Sequence, residues 1–333
     1  MQLNTHDLSK YRTQLMGIAT LLIIFGHSAG NGVVMPGWLE MLCGLASVGV
    51  DIFLLVSGLG LWYSLKKHSL EGESIKQWYI RRYKRILIPY LLIIGVQNLL
   101  AISHGTSILE ALLELSTISY WCNHKGAWFI AMLIPLYAIT PLHYKIFNKV
   151  SNSNVYSIVM IIVVTILSAL SYPIESAGGQ MIVDNIKHVL YHLPAFLIGF
   201  MLAPYSQSGE KVSALWIIVL PIILCMVMKI SNFGFWPGFL VLPFIYISLC
   251  LIKVSGKFIN SIYSFFGSIS LESYLFNGII GSWIIWYLPQ LYYSSLNNGC
   301  YLSYTMICVL GTFLAFIVNR LCNSLFNSHS IKN

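Results

Sequence analysis

Charge is what this sequence has least of: Asp, Glu, Lys and Arg make up 9% of its 333 residues, while 57% are apolar. A soluble domain carries about 25% charged residues, so an ordinary water-facing surface is excluded. Acid is scarcer than base, 11 residues against 19, leaving a net charge of +8. The excess does not point to nucleic acid, because the basic residues fall in alternate short loops, which is the pattern of membrane topology. The cysteines (Cys43, Cys122, Cys225, Cys250, Cys300, Cys308 and Cys322) form no C-x-x-C pair and no Cys/His ligand spacing. They read as small buried hydrophobes, so neither a structural disulfide nor a metal is expected. No cleavable leader is legible, since the first apolar run is too long for one and opens a series of others. No internal repeat stands out, and only 323–333 reads as a polar tail.

What remains is a succession of membrane-length apolar runs, with a mean hydropathy of +0.75. A helix needs about 20 apolar residues to cross a hydrocarbon core. Charges and turn residues divide the chain into ten such helices, near 13–31, 39–65, 86–104, 127–147, 154–172, 188–204, 212–229, 236–252, 267–288 and 300–320. With both termini cytoplasmic, the inner loops collect sixteen Lys and Arg, and the outer ones keep only Lys125, Lys187 and Lys229. The expected architecture is therefore an all-α, polytopic protein embedded in a lipid bilayer, one domain over 1–333.

Within these runs a few ionisable residues stand out. His27 lies in a stretch, Thr13 to Leu39, that holds no Asp, Glu, Lys or Arg. Ionisable groups inside a span are costly and usually face a protein interior or a wet cavity. A neutral imidazole accepts a hydroxyl proton near neutral pH, so His27 reads as a general base or as a hydrogen-bonded core histidine joining helices. Asp51, in the second run, costs about 2.5–3.5 kcal/mol at a helix centre and needs a partner. At a depth comparable to His27 it is placed to hold that imidazole's tautomer, or to form a purely structural pair.

The cluster Arg81, Arg82, Lys84 and Arg85 stands just before the third run. It reads either as a positive-inside anchor or as a phosphate site for a nucleotide-bearing donor such as coenzyme A. Glu272 breaks an otherwise uncharged stretch near an expected cytoplasmic helix start, where it caps, snorkels or joins a polar network with its Ser and Tyr neighbours. His188 and His192, four residues apart, share one helix face. Without an obvious third ligand they read as a polar lining and not as a metal pair. Trp128, among Tyr120, Trp121, His124 and Lys125, fits an interfacial aromatic belt or a sugar-stacking face.

These residues, taken in order, resemble the integral-membrane acyltransferase 3 family of bacterial O-acyltransferases. Gly17-Ile18-Ala19 followed by His27 is similar to its first helix, and Gly49-Val50-Asp51-Ile52-Phe53 with Ser57-Gly58 to its second. Arg81-Arg82-Tyr83-Lys84-Arg85-Ile86 with Pro89 is similar to its basic segment. Trp128-Phe129-Ile130 with Tyr137 and Thr140-Pro141-Leu142, and Ser270-Leu271-Glu272-Ser273-Tyr274-Leu275, resemble two later motifs.

The resemblance implies transfer of an acyl group, acetyl first among candidates, from cytoplasmic acyl-CoA to a hydroxyl. The implied acceptor is a lipid-linked or polymeric surface glycan, such as O-antigen or capsule, at a bacterial cytoplasmic membrane. It implies His27 as the catalytic histidine and the 81–85 cluster as donor-binding, with Trp128 and Glu272 expected at the substrate. No permanently bound cofactor is required. Met16 stands where the family carries an arginine, and Arg12, one turn earlier on nearly the same face, is expected to take its place. Asn277 stands where the late motif often continues to histidine. Two other classes fit the same composition: an exporter using His27 and Asp51 as a polar relay, and a sensor without catalysis. The lack of repeats argues against the exporter.

Overall fold

The computed structural model describes residues 2–171, 181–213, 215, 217–219, 221–223, 226 and 238–330. Helices dominate. After a short strand β1 (Gln2–Asn4) come α1 (His6–Lys10), α2 (Arg12–Gly30), α3 (Gly37–Leu45), α4 (Val48–Glu71) and α5 (Ile75–Ser103). Then follow α6 (Ile108–Leu115), α7 (Ile118–Asn123), α8 (Trp128–Lys149), α9 (Ser153–Ser171), α10 (Met181–Ser208) and strand β2 (Lys211–Ser213). The last described stretch holds a 3₁₀ turn (Gly238–Leu240), α11 (Val241–Val254), α12 (Lys257–Ser268), α13 (Ser270–Tyr287), α14 (Pro289–Leu296) and α15 (Tyr301–Ser330).

Seven segments among the described residues are long and apolar enough to cross a membrane: α2, α3 with α4, α5, α8, α9, α10 and α15. The expected span at 212–229 lies only partly within the described residues, and Cys225 and Lys229 lie outside them. Two expected boundaries move. The third helix starts at Ile75, because the Ser74 hydroxyl accepts from the Gln77 N–H at 3.4 Å and caps it. The basic cluster therefore lies inside α5, in its first three turns, and Pro89 is accommodated further along. The ninth expected helix is α13, and a further helix, α12, leads into it with a break at Ile269. Glu272 thus follows a full helix and does not sit at a cytoplasmic start. The last helix, expected to end near 320, runs on through the polar tail to Ser330.

Apolar side chains of α9, among them Val159, Ile162, Val163 and Ile166, are exposed, as lipid contact requires. Between helices, lipid offers little hydrophobic driving force, and close backbone approach through small residues takes over. Gly58 and Gly199 bring α4 onto α10: a β-carbon at Gly199 would lie 1.9 Å from the Leu55 carbonyl, and one at Gly58 2.2 Å from that of Phe196. Gly17 and Gly267 do the same for α2 and α12, at 1.8 Å from Tyr263 O and 1.9 Å from Thr13 O.

The chain start is tied down at one end of the bundle. β1 pairs antiparallel with β2, Leu3 opposite Val212, and Asp7 meets Lys253 at 2.5 Å. This is the basic end, the one that the loop charges lead us to expect at the cytoplasm. Strands were not expected there: three residues are too few to show an alternating pattern.

Candidate functional site

His27 is the fourth residue from the far end of α2, about 22 Å from Arg12 at 1.5 Å per residue. Its Nδ1 lies 2.5 Å from Asn277 Oδ1 on α13. An amide oxygen only accepts, so Nδ1 carries the proton and Nε2 keeps its lone pair. Asn31 Nδ2 donates to the His27 carbonyl at 2.8 Å. The Tyr304 hydroxyl, beside Asn277, donates to the Ile24 carbonyl and brings α15 against the same wall. Three helices thus hold one half-buried imidazole in a fixed tautomer, with no hydrogen bond to Nε2 among the described residues, the form a general base requires.

At the basic end, arginines from two helices converge. Arg12 opens α2, Arg82 and Arg85 lie on one face of α5, and all three act electrostatically on the Tyr137 phenol of α8. Arg82 Nε donates to Ser64 Oγ at 3.1 Å, and the same oxygen accepts from Trp78 Nε1 at 2.8 Å. The Arg12 guanidinium lies against Gly60, where a β-carbon would come within 2.6 Å of it, and its Nε is buried without a partner. Beside it opens a cavity of about 410 Å³, lined by Ser9, Arg12, Gly60, Tyr63, Ser206 and Gln207 among others. Gathering cations is unfavourable without an anion, and guanidinium forks match phosphate oxygens. Glu272 on α13 is within electrostatic range of Arg85, but it is buried and its Oε1 accepts from Asn319 Nδ2 at 3.1 Å.

The rest of the cluster turns elsewhere. Arg81 donates to both carboxylate oxygens of Glu73, at 2.7 Å to Oε1, which holds the Glu73 carboxyl below the usual carboxylate range. Lys84 is exposed, about 160° round the helix from Arg82.

Asp51 does not orient His27. Fully buried at the start of α4, its Oδ1 faces His192 Nδ1 of α10 at 2.8 Å, and its Oδ2 has no partner. The reason is packing. The Gly58–Gly199 contact lays α10 along α4, while Gly49, two residues before Asp51, meets α2 at Ala19 and Ile23, one turn short of His27. A His27–Asp51 relay is therefore split between two separate pairs.

Trp128 opens α8, half-buried, with its ring 4.4 Å from that of His188 and 5.4 Å from that of His192. The next residue, Phe129, donates its backbone N–H to the Tyr274 oxygen at 3.2 Å, one turn before Asn277 on α13. Among the described residues, no three His, Cys, Asp or Glu side chains form a metal-binding group. Sequence reasoning passed over Asn277 as an orienting group, Ser64 as an acceptor and the His192–Asp51 pair. The available signal was a polar residue inside an apolar run, which marks a site without naming its partner.

A family model described as an acyltransferase domain, that of acyltransferase 3, matches residues 14–320. No match was found among curated proteins or among solved structures.

Proposed function

The chain belongs to the acyltransferase 3 family of membrane acyltransferases, and on that premise we propose that it moves an acetyl group from cytoplasmic acetyl-CoA to a sugar hydroxyl. The acceptor in this reading is a lipid-linked or polymeric surface glycan at a bacterial cytoplasmic membrane. The observation that carries the reading is the build of α2: a half-buried arginine in a cation layer at one end, and an imidazole with its basic nitrogen free about 22 Å further along.

Arg12, Arg82 and Arg85 receive the donor's phosphates, as bidentate donors to phosphate oxygens do. The thioester arm runs along α2 and brings the acyl carbon to His27. There Nε2 takes the proton of the acceptor hydroxyl while its oxygen attacks the thioester carbonyl. The C–O bond forms, the C–S bond breaks, and the proton passes from Nε2 to the departing sulfur. Asn277, its Oδ1 accepting from Nδ1 throughout, keeps the ring in place and neither gives nor takes a proton. Asp51 takes no part in orienting His27, and Arg81 and Lys84 take no part in holding the donor.

The test is transfer of labelled acetyl from acetyl-CoA to glycan in membranes carrying the wild type or His27→Ala at matched expression. Label with the wild type alone is expected. Equal labelling by both would remove His27 from the chemistry, and no label from either would remove this donor and acceptor pair.

A further inference from the structure

Four titratable groups outside the His27 site line up from the far surface into the bundle. His124 is exposed, His188 is half-buried, His192 is 5% exposed and Asp51 is fully buried. The rings of His124 and His188 lie 6.1 Å apart, those of His188 and His192 5.2 Å, and Trp128 flanks the last two. The mouth is cross-linked by hydrogen bonds: Asn185, fully buried on α10, donates to the backbone of Tyr120 at 2.6 Å and of Trp121 at 3.0 Å, and its side-chain oxygen accepts from His124 Nδ1.

If these groups only fastened α4, α8 and α10 together, their hydrogen bonds would close on one another, because an unsatisfied polar group in an apolar medium is costly. They do not close. Asp51 fixes His192 through Nδ1, its own Oδ2 is buried without a partner, and no hydrogen bond among the described residues occupies His192 Nε2. With Nδ1 donating to the carboxylate, Nε2 is an acceptor. What it lacks is a donor, and a hydroxyl supplies one. The aromatic face beside it suits the C–H face of a ring. Of the nearby cations, Lys187 pairs with Asp184 at 3.0 Å, and Lys125 is exposed within electrostatic range of Glu114.

We infer that His192, held by Asp51, forms with His188 and Trp128 a subsite for the acceptor: a neutral, hydroxyl-rich ring stacked on Trp128 with one hydroxyl donating to His192 Nε2. The inference rests on the acyl-transfer reading and gives the acceptor a seat separate from the donor's arginines. Tyr274 links the two halves, since it meets the backbone beside Trp128 and stands one turn before the Asn277 that holds His27.

The experiment uses full-length protein in nanodiscs, acetyl-CoA, and the lipid-linked glycan fraction extracted from the expressing cells as the acceptor probe. His192→Gln and His188→Gln are each expected to raise the KM for that fraction at least tenfold while the KM for acetyl-CoA stays within twofold. An unchanged acceptor KM in both variants overturns the subsite, and so does an equal rise in both KM values, which marks a structural role. His188→Gln keeps the test open if His192→Gln fails to fold. Wild-type protein that binds the glycan fraction without labelling it, more tightly than His188→Gln does, supports the subsite and overturns the transfer reading. Absence of both binding and labelling overturns the subsite too.

Discussion

His27 and His192 are two imidazoles fixed through Nδ1 by different chemistry, a neutral amide oxygen in one case and a carboxylate in the other. The difference matters for rate. An amide sets the tautomer without adding charge, so the effect of Asn277 is positional. Small losses of alignment at a reacting group cost about a hundredfold in rate. Asn277→Leu is accordingly expected to lower kcat by about that factor and to leave the KM for acetyl-CoA unchanged, in steady-state transfer assays. Asn277→Asp, which retains an acceptor oxygen, is expected to keep most of the activity. The arginines divide in the same residue-by-residue way. Removing a charge-assisted bond costs about 1.5–3 kcal/mol, or roughly tenfold to a hundredfold in affinity. Arg82→Ala should raise the acetyl-CoA KM by that much, whereas Arg81→Ala, which only releases Glu73, should leave it within about twofold.

At the scale of elements, α4 organises both halves of the site. Its far end supplies Asp51, its middle packs on α10 through Gly58, and its inner turns place Gly60 against Arg12 and Ser64 against Arg82. The two glycines separate fold from function. A methyl at Gly199 meets a backbone carbonyl at 1.9 Å, and backbone cannot move aside without parting the helices. Overpacking of that kind costs about 1–3 kcal/mol or more, so Gly199→Ala should lower the unfolding temperature and the yield of folded protein. A methyl at Gly60 meets only the end of a flexible arginine at 2.6 Å. Gly60→Ala should melt near wild type yet bind acetyl-CoA more weakly, as a paired thermal-shift and binding measurement would show. The α12–α13 break at Ile269 belongs to the same scale, because α13 brings Glu272 towards the arginines and Asn277 to His27.

Across the whole molecule, the proposed reading puts the donor's arginines at the basic end and the acceptor's groups at the opposite one, so orientation and function make one claim. Cys122 is exposed on α7, at the end away from the basic loops. In intact cells it is expected to react with a membrane-impermeant maleimide, while a cysteine placed at Lys67 reacts only after permeabilisation. Reversed labelling would put the arginines outside, away from acyl-CoA.

The membrane class and most helix positions were legible in the sequence, because apolar run length and charge placement are local properties that lipid reads directly. The match over residues 14–320 agrees with the family resemblance that rested on the ordered motifs. Pairings were not legible. Asp51 with His192, Asn277 with His27, Ser64 with Arg82 and Arg81 with Glu73 join residues on different turns or different helices. Which helix faces which depends on small-residue contacts such as Gly58 with Gly199, set by backbone shape in three dimensions and leaving no period along the chain. Sequence alone determined that polar groups stand inside an apolar protein, since their cost there follows from composition and depth. Only the tertiary structure decided how each one is satisfied, because a hydrogen bond is fixed by distance and direction between helices that the chain order does not rank.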